Sequence, residues 1–271
     1  PTTYMGSQGM FVALILCYLV AKVYCKILSS KLKIRLPDSV PPMVSSSFES
    51  LIPVIITLVL VCSINYCFTL TSFGNIHALV NEIIQKPLLL IGTGLPALLI
   101  SQGLAQLLWF FGLHGDQIVG SVMDPILQTA GMENLSAYTA GDAVPYIITD
   151  QFRALFVMIA FMSLVIAILI VSKGVGKVAV LPATFCISEP VVFGAPVVMN
   201  AMLFIPWVLS RPVFGLITWL FMKFGLCPYP TGVAIPWTTP PVLSGFLATN
   251  SIMGAVVQII CLAIGVLMFI P

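Results

Sequence analysis

The stretch ALFVMIAFMSLVIAILIVS, residues 154–172, decides the class of the fold because it contains no charged side chain. A helix needs about 20 largely apolar residues to cross the hydrocarbon core of a bilayer. The whole chain resembles this stretch, since 59% of its 271 residues are hydrophobic and 7% are charged, with a mean hydropathy of +1.12. A soluble domain has about 25% charged residues. We therefore predict an all-α polytopic protein embedded in a lipid bilayer.

Other segments extend this pattern. Residues 9–28, 51–70 and 251–270 are long enough to span, whereas 212–224 is too short to span comfortably. Five cations lie between Lys22 and Arg35, and three of them are in the first part of the loop 29–50, which predicts that this loop is cytoplasmic. Residues 71–86 have apolar positions at helical spacing and predict an amphipathic helix along the membrane interface.

Two apolar regions, near 100–120 and 180–200, are interrupted by glycine, proline and polar residues. Backbone that is not helical at membrane depth must be buried in protein or line a wet cavity. Broken segments of this kind indicate a transport site. We predict two re-entrant hairpins, with tips near His114 and Glu189.

The carboxylate of Glu189 lies in FCISEPVVFGAP, residues 185–196, among apolar residues. An ionisable group in such a segment is costly and is expected to have a function or a partner. Glu189 could accept hydrogen bonds from a polar solute, with the hydroxyl of Ser188 beside it, or could act as a base. The structural alternative is an ion pair or a helix start at Glu-Pro. His114 could likewise be a ligand-binding residue or a helix-end histidine bonded to a carbonyl.

Tryptophans provide flat apolar faces that suit sugar rings. Trp109 and Trp237 are candidates for this role, although tryptophans in membrane proteins also anchor helices at the interface. We assign Trp207 and Trp219 to anchoring or packing. Arg211 and Lys223 are interpreted as cations at the membrane boundary, outside any site. The remaining charged residues of the central region form an acidic-leaning set, and we expect some of them to be interfacial or to cap short helices: Asp116, Asp124, Glu133, Asp142, Asp150 and Arg153.

Several functions are not supported by the sequence. The net charge of +2 is too small to indicate nucleic acid binding. Two histidines and seven cysteines without a C-x-x-C pair indicate no metal site and free thiols. Because the chain has no P-loop and no dinucleotide fingerprint, we expect neither a nucleotide-driven pump nor a cofactor.

Six motifs occur in order along the chain: LPDSVPPMVSSSFESLIP (36–53), LLWFFGLHG (107–115), MDPI (123–126), GDAVPYIITDQF (141–152), ISEPVVFGAPVVMN (187–200) and IPWTTPP (235–241). Together they resemble the membrane-spanning EIIC component of the bacterial phosphotransferase system, in the lactose/cellobiose/diacetylchitobiose family. The resemblance implies a homodimer in the bacterial cell membrane and a longer chain with further helices at its start. It also implies that residues 1–75 belong to a dimer-interface domain and residues 76–271 to a substrate-binding transport domain.

The same resemblance implies a sugar site. His114, Glu189, Trp109 and Trp237 match sugar-contacting positions, and Glu189 is the candidate base beside the hydroxyl that is phosphorylated. Ser188 departs from the family, which usually has Asn there, and Gln117 is a weaker candidate. The phosphoryl group is implied to arrive on a cysteine of a separate cytoplasmic EIIB protein, which this chain needs to complete the transfer.

The leading hypothesis is therefore transport of a β-linked disaccharide by a phosphotransferase component. An ion- or proton-coupled secondary transporter that uses Glu189 and His114 is the alternative. A receptor or scaffold without transport is a third possibility.

Overall fold

The computed structural model describes residues 7–32, 34, 36–37, 40–171, 176–194 and 197–270. Within these ranges every regular element is helical, which confirms the predicted all-α class. Lys33 and Arg35 of the basic loop, together with Lys173 and Pro196, lie outside the described residues.

Five of the described helices are long and apolar enough to cross a membrane: Phe11–Leu28, Pro42–Thr69, Phe152–Val171, Ala201–Lys223 and Ile252–Phe269. A bent pair, Ile76–Gly92 with Leu95–Phe110, would be a sixth crossing if it forms one span. The predicted polytopic architecture is therefore confirmed.

The chain divides into two compact units, Pro1–Pro87 and Leu88–Pro271. In the first unit, helix α1 (Ser7–Leu28) packs against α2 (Pro42–Thr69) and against the short helix α3 (Ile76–Val80). Helix α2 begins at Pro42, inside the predicted loop 29–50. Proline suits the first helical position, because the N–H that it lacks would have no partner within the helix. The described part of that loop is therefore shorter than expected.

The predicted amphipathic segment 71–86 is helical from Ile76. The side chain of Asn75 accepts a hydrogen bond from the backbone N–H of Ala78 and so caps the start of α3. A π-helical turn, Asn81–Gln85, continues into α4 (Lys86–Gly92).

The second unit is a helical body around two apolar clusters. Phe152, Phe156 and Phe214 are fully buried in one cluster, and Trp109 and Trp207 in the other. Its elements are α5 (Leu95–Phe110), α6 (Gly115–Ala140), a π turn (Phe152–Val157), a 3-10 turn (Met158–Ala160), α7 (Phe161–Val171), α8 (Gly176–Thr184), α9 (Glu189–Gly194), α10 (Ala201–Lys223), α11 (Leu243–Thr249) and α12 (Ile252–Phe269).

Helix α10 corrects one prediction. Residues 212–224 are not a separate short segment, because the helix runs unbroken from Ala201 to Lys223 through Pro206 and Pro212. Prolines are tolerated where neighbouring helices supply partners for freed backbone groups. The carbonyl groups that Pro206 and Pro212 leave without a helical donor are those of Met202 and Val208. Between them, Gln106 of α5 donates from Nε2 to the carbonyl oxygen of Trp207 at 3.0 Å, which joins α5 to α10.

A helical hairpin is present at both predicted positions. One joins α5 to α6 just before Gly115, and the other joins α8 to α9 just before Glu189. Both hairpins belong to the second unit, so the predicted tip residues are positioned by one compact body.

Candidate functional site

The first hairpin turns on two glycines in the motif GLHG. Gly112 has φ +78°, a left-handed conformation, and the N–H of Leu113 reaches back to the carbonyl of Leu108 at 3.0 Å, which closes the end of α5. A Cβ on Gly115 would clash with the backbone carbonyl of Ala105. The two helices can therefore approach closely only with glycine at this position, and the turn holds His114 at the start of α6.

The hydrogen bonding of His114 defines which ring nitrogen carries the proton. Its Nδ1 accepts a hydrogen bond from the backbone N–H of Gln117 at 3.2 Å, which makes His114 the N-cap of α6. A neutral imidazole that accepts at Nδ1 must donate at Nε2. That Nε2 lies 3.5 Å from Oε1 of Glu189. The predicted pair therefore presents a donor and an acceptor side by side.

The second hairpin places Ser188 and Glu189 after a tight turn. Cys186 has φ +61°, and the N–H of Ile187 bonds to the carbonyl of Pro182 at 3.0 Å. The thiol of Cys186 also lies 3.6 Å from the carbonyl oxygen of Thr239. This contact joins the turn before Glu189 to the segment that carries Trp237.

These segments surround a cavity of about 490 Å³. Four of the five predicted site residues line it, namely His114, Ser188, Glu189 and Trp237. The side chains of His114 and Glu189 remain 41% and 48% exposed, so a ligand in the cavity can reach both. Gln117, the weaker candidate, lines it as well.

Trp109, the fifth predicted residue, is not in the lining. It is 1% exposed, and its ring centroid lies 4.3 Å from that of His114. Its indole Nε1 donates to Oδ2 of Asp116 at 2.9 Å. The structure therefore places Trp109 behind His114, where it supports the imidazole from the protein side.

An ion pair lies next to Trp109 that the sequence interpretation missed. Arg211 binds Asp116 through both terminal nitrogens, with Nη2 3.0 Å from Oδ2. The two side chains are 2% and 11% exposed. The interpretation of Arg211 as a boundary cation is wrong, because α10 is continuous and Arg211 lies in its interior. A charge in an apolar segment demands a partner, so that rule could have marked Arg211 as paired, although it does not say with which carboxylate.

Further polar residues line the same cavity, and three of them, Asp124, Asp150 and Arg153, belong to the acidic-leaning set of the sequence analysis. Arg153 forms an ion pair with Asp124. Asp150 and Gln151 line the cavity as well, together with Gln128 from α6. Sequence reasoning did not assign these residues to the site, because no local pattern connects α6 with the π turn that follows residue 150.

The described residues show neither a disulfide nor a clustered set of metal ligands. All seven cysteines are free, and no cluster of three or more His, Cys, Asp or Glu residues with metal-binding geometry is found in the described ranges. The site can bind a ligand through hydrogen bonds and aromatic contact, with Glu189 available as a proton acceptor.

Comparisons with known proteins identify relatives along the entire chain. The chain is 42% identical to the oligo-beta-mannoside-specific EIIC component of Bacillus subtilis and 37% identical to the cellobiose-specific EIIC component of Geobacillus stearothermophilus. Each match covers 100% of this chain, and 64% and 63% of the relatives. A solved structure, the transporter ChbC, the IIC component of the N,N'-diacetylchitobiose-specific phosphotransferase system, is 36% identical with a TM-score of 0.95. That match covers 100% of this chain and 65% of ChbC.

The chain thus spans slightly less than two thirds of the length of these relatives. Its helices, and the bacterial relatives that it matches, make it a multi-pass protein of the bacterial cell membrane. The family model described as "Phosphotransferase system, EIIC" matches residues 1–210. The chain therefore belongs to the phosphotransferase system EIIC family.

Proposed function

We propose that this chain provides the sugar-binding part of an EIIC component that transports a β-linked disaccharide and presents one of its hydroxyl groups for phosphorylation. The observation that carries this proposal is the pair of His114 and Glu189, 3.5 Å apart and open to one cavity. A hydroxyl group both donates and accepts, so one hydroxyl can accept from Nε2–H of His114 and donate to Glu189.

The other lining residues complete a sugar site in this proposal. Trp237 is 56% exposed and supplies an aromatic face for the ring. Ser188 adds a hydroxyl group beside Glu189. Trp109 contributes indirectly, because its ring holds the imidazole of His114 in place.

Glu189 has a second role in this scheme. Its carboxylate takes the proton of the sugar hydroxyl as the sugar oxygen attacks phosphorus on the phosphocysteine of EIIB. The O–P bond forms, the S–P bond breaks, and the cysteine leaves as a thiolate. Phosphoryl transfer depends mainly on positioning and electrostatics, so an aligned hydroxyl and a base are an adequate contribution from this chain.

The substrate class is inferred from the named relatives, whose specificities are for oligo-β-mannosides, cellobiose and diacetylchitobiose. All of these sugars are β-linked. These sugars differ in their ring substituents. We expect Ser188, where the family usually has Asn, to be the position at which the sugar selectivity of this chain differs from that of its relatives.

We also propose the domain roles and the assembly. Residues 1–75 belong to a domain that forms a homodimer, and residues 76–271 move as the transport domain. The compact unit Leu88–Pro271, which carries both hairpins, supports the second assignment. The matched relatives do not favour the proton-coupled alternative, because they are named as phosphotransferase components.

The substitution Glu189→Gln tests the proposal in the full-length protein. We expect phosphorylation of the sugar by phospho-EIIB to fall by about 100-fold or more, since a general base contributes about 10²–10⁴ in rate. Sugar affinity should also fall, because an amide is a weaker acceptor than a carboxylate.

Glu82→Gln is the matched control, because Glu82 is an exposed carboxylate in the first unit that pairs with Lys86. It should leave both measurements unchanged. Normal affinity together with normal phosphorylation in Glu189→Gln would refute the assignment of Glu189. Uptake that continues without phospho-EIIB, and stops when the pH gradient is collapsed, would instead favour the proton-coupled transporter.

A further inference from the structure

The end of helix α1 and the loop that follows it contain a cluster of cations that the proposed sugar site does not use. Five of the eleven Lys and Arg residues of the chain lie between Lys22 and Arg35. The only carboxylate in residues 1–48 is that of Asp38, whereas residues 49–271 have six cations and eight carboxylates. The predicted cytoplasmic end of α1 is therefore strongly basic.

Three of these cations belong to the described part of the chain, and all three are exposed. Lys22 and Lys26 lie on α1, and Lys31 lies three positions after its last residue. None of the three forms an ion pair with another described residue. By contrast, the exposed Lys86 of the same unit pairs with Glu82. The three lysines are therefore available to an anion from outside the chain.

The helix dipole does not account for this cluster. The dipole favours a cation at the C-terminus of a helix, but its effect is confined to the last turn. Of the three lysines only Lys26 lies in the last turn of α1. Lys22 precedes that turn and Lys31 lies beyond the helix, so their positions need another explanation.

The exposed face of α1 changes from apolar to cationic along one line of side chains, here called the α1 ridge. It consists of Leu14, Tyr18, Lys22 and Lys26, which follow one another at intervals of four and so form a ridge on the helix surface. Leu14 and Tyr18 are 49% and 60% exposed. At about 1.5 Å per residue the ridge is about 18 Å long. It presents apolar surface first and charge second, in the order of acyl chain and headgroup in a phospholipid.

The middle of the α1 ridge has the character of a membrane interface. Nζ of Lys22 lies 4.8 Å from the centroid of the Tyr18 ring. Tyrosine is enriched where acyl chains give way to headgroups, and lysines near helix ends extend towards the same level. Tyr18 and Lys22 together therefore mark the depth at which a lipid phosphate lies beside α1.

We propose that the α1 ridge and Lys31 bind an anionic phospholipid of the cytoplasmic leaflet. Its phosphate lies against the lysines, and the upper part of an acyl chain lies against Leu14 and Tyr18. Each cation next to a membrane-spanning helix strengthens the binding of anionic lipid about fivefold. Three lysines without acidic partners therefore give a preference of about 100-fold over a zwitterionic lipid. This inference does not depend on the sugar site.

The test is a fluorescence titration of the full-length protein in detergent with labelled phosphatidylglycerol and, as the zwitterionic comparison, labelled phosphatidylcholine. The unmodified protein should bind phosphatidylglycerol about 100-fold more tightly. The triple variant Lys22→Gln, Lys26→Gln, Lys31→Gln should lose most of this preference and keep its affinity for phosphatidylcholine within about twofold. Lys223→Gln is the matched control, because Lys223 is exposed at the end of α10 and is the only charged residue after Arg211. It should change neither affinity.

Three results would overturn the proposal. Equal binding of the two lipids by the unmodified protein would leave the cations only a role in orienting the chain during insertion. An equal loss in Lys223→Gln would show that any helix-end cation suffices. The triple variant with arginine at the same three positions should keep the preference, since an exposed phosphate contact needs the charge, and its loss there would contradict binding by charge.

Two further measurements separate the lipid from other anions. Millimolar inorganic phosphate should not displace phosphatidylglycerol, because phosphate has no acyl chain for Leu14 and Tyr18, and displacement would refute a lipid as the ligand. Phosphorylation of sugar by phospho-EIIB should stay within about twofold in the glutamine triple variant. Normal lipid binding together with lost phosphorylation would assign the basic end to docking of EIIB and overturn the lipid site.

Discussion

The ion pair between Asp116 and Arg211 leads to a quantitative prediction for Asp116→Asn. Both side chains are almost fully buried, and Arg211 contacts Asp116 through two nitrogens. Removing one member of such a pair leaves an uncompensated buried charge, which costs about 3–5 kcal/mol. We therefore expect the free energy of unfolding of Asp116→Asn to fall by about that amount.

Two companion variants separate the charge effect from the loss of ordinary hydrogen bonds. Trp109→Phe keeps both charges but removes the indole N–H that donates to Asp116 and part of a buried ring, so it should cost about 1.5–3 kcal/mol from the hydrogen bond and a further amount from the cavity. The double variant Asp116→Asn, Arg211→Met removes both charges together. It should recover most of the loss, because replacing a buried ion pair by neutral groups is often close to neutral.

Chemical unfolding of the purified protein in detergent measures all three variants, and sugar affinity is measured alongside. Asp116→Asn and Trp109→Phe should also weaken sugar binding, since Trp109 supports the ring of His114. Two results would refute the uncompensated charge as the cause: a loss of less than about 1 kcal/mol in Asp116→Asn, or a double variant no more stable than Asp116→Asn alone.

Three further predictions concern single side chains. Gly115→Ala should destabilise the protein by more than about 3 kcal/mol, the upper end of ordinary overpacking, while Gly194→Ala, which meets open space, should be nearly neutral in the same unfolding assay. Oε1 of Gln258 accepts hydrogen bonds from the backbone N–H groups of Val242 (2.5 Å) and Gly245 (3.0 Å). Gln258→Leu should therefore lower the free energy of unfolding by at least about 3 kcal/mol and speed amide hydrogen exchange at residues 242–245. Burial raises the pKa of the Asp150 carboxyl, so the folded state holds this proton more tightly than the unfolded chain and loses stability as the pH rises through that pKa. Asp150→Asn should therefore raise the denaturant midpoint of unfolding at pH 7, and this gain should disappear near pH 4. The same variant should weaken disaccharide binding. A stability gain that grows towards pH 4 would contradict the sign of the effect.

The parts of the site that follow local rules could be predicted from the sequence. The glycines of GLHG predict a tight turn at His114, and an isolated carboxylate in ISEP predicts a polar function for Glu189. Hydropathy predicts the span Ile252–Phe269 almost to the residue. Each of these signals lies within a few neighbouring positions, because it reports backbone geometry or the cost of placing one group in an apolar environment.

The partners of the buried charges could not be predicted in the same way. Arg211 and Asp116 are separated by 95 positions, and their contact depends on how α10 packs against α5. From the sequence, 212–224 is interpreted as a separate short segment and Arg211 as a boundary cation, whereas the structure has one helix, α10, through both. A buried guanidinium must have a partner. The central region contains several carboxylates, and nothing in the sequence distinguishes which of them is that partner.

The choice of Asp116 as that partner has a consequence for the site that neither residue shows alone. Its Oδ2 is shared between Nη2 of Arg211 and the indole of Trp109, so one carboxylate joins the interior of α10 to the support of His114. A hydrophobic pair could fill the same volume with less desolvation, which argues that stability alone does not explain these charges. In the proposed function, a fixed orientation of Trp109 accounts for them, because one sugar hydroxyl would contact both His114 and Glu189 only while the imidazole keeps Nε2–H directed towards Glu189.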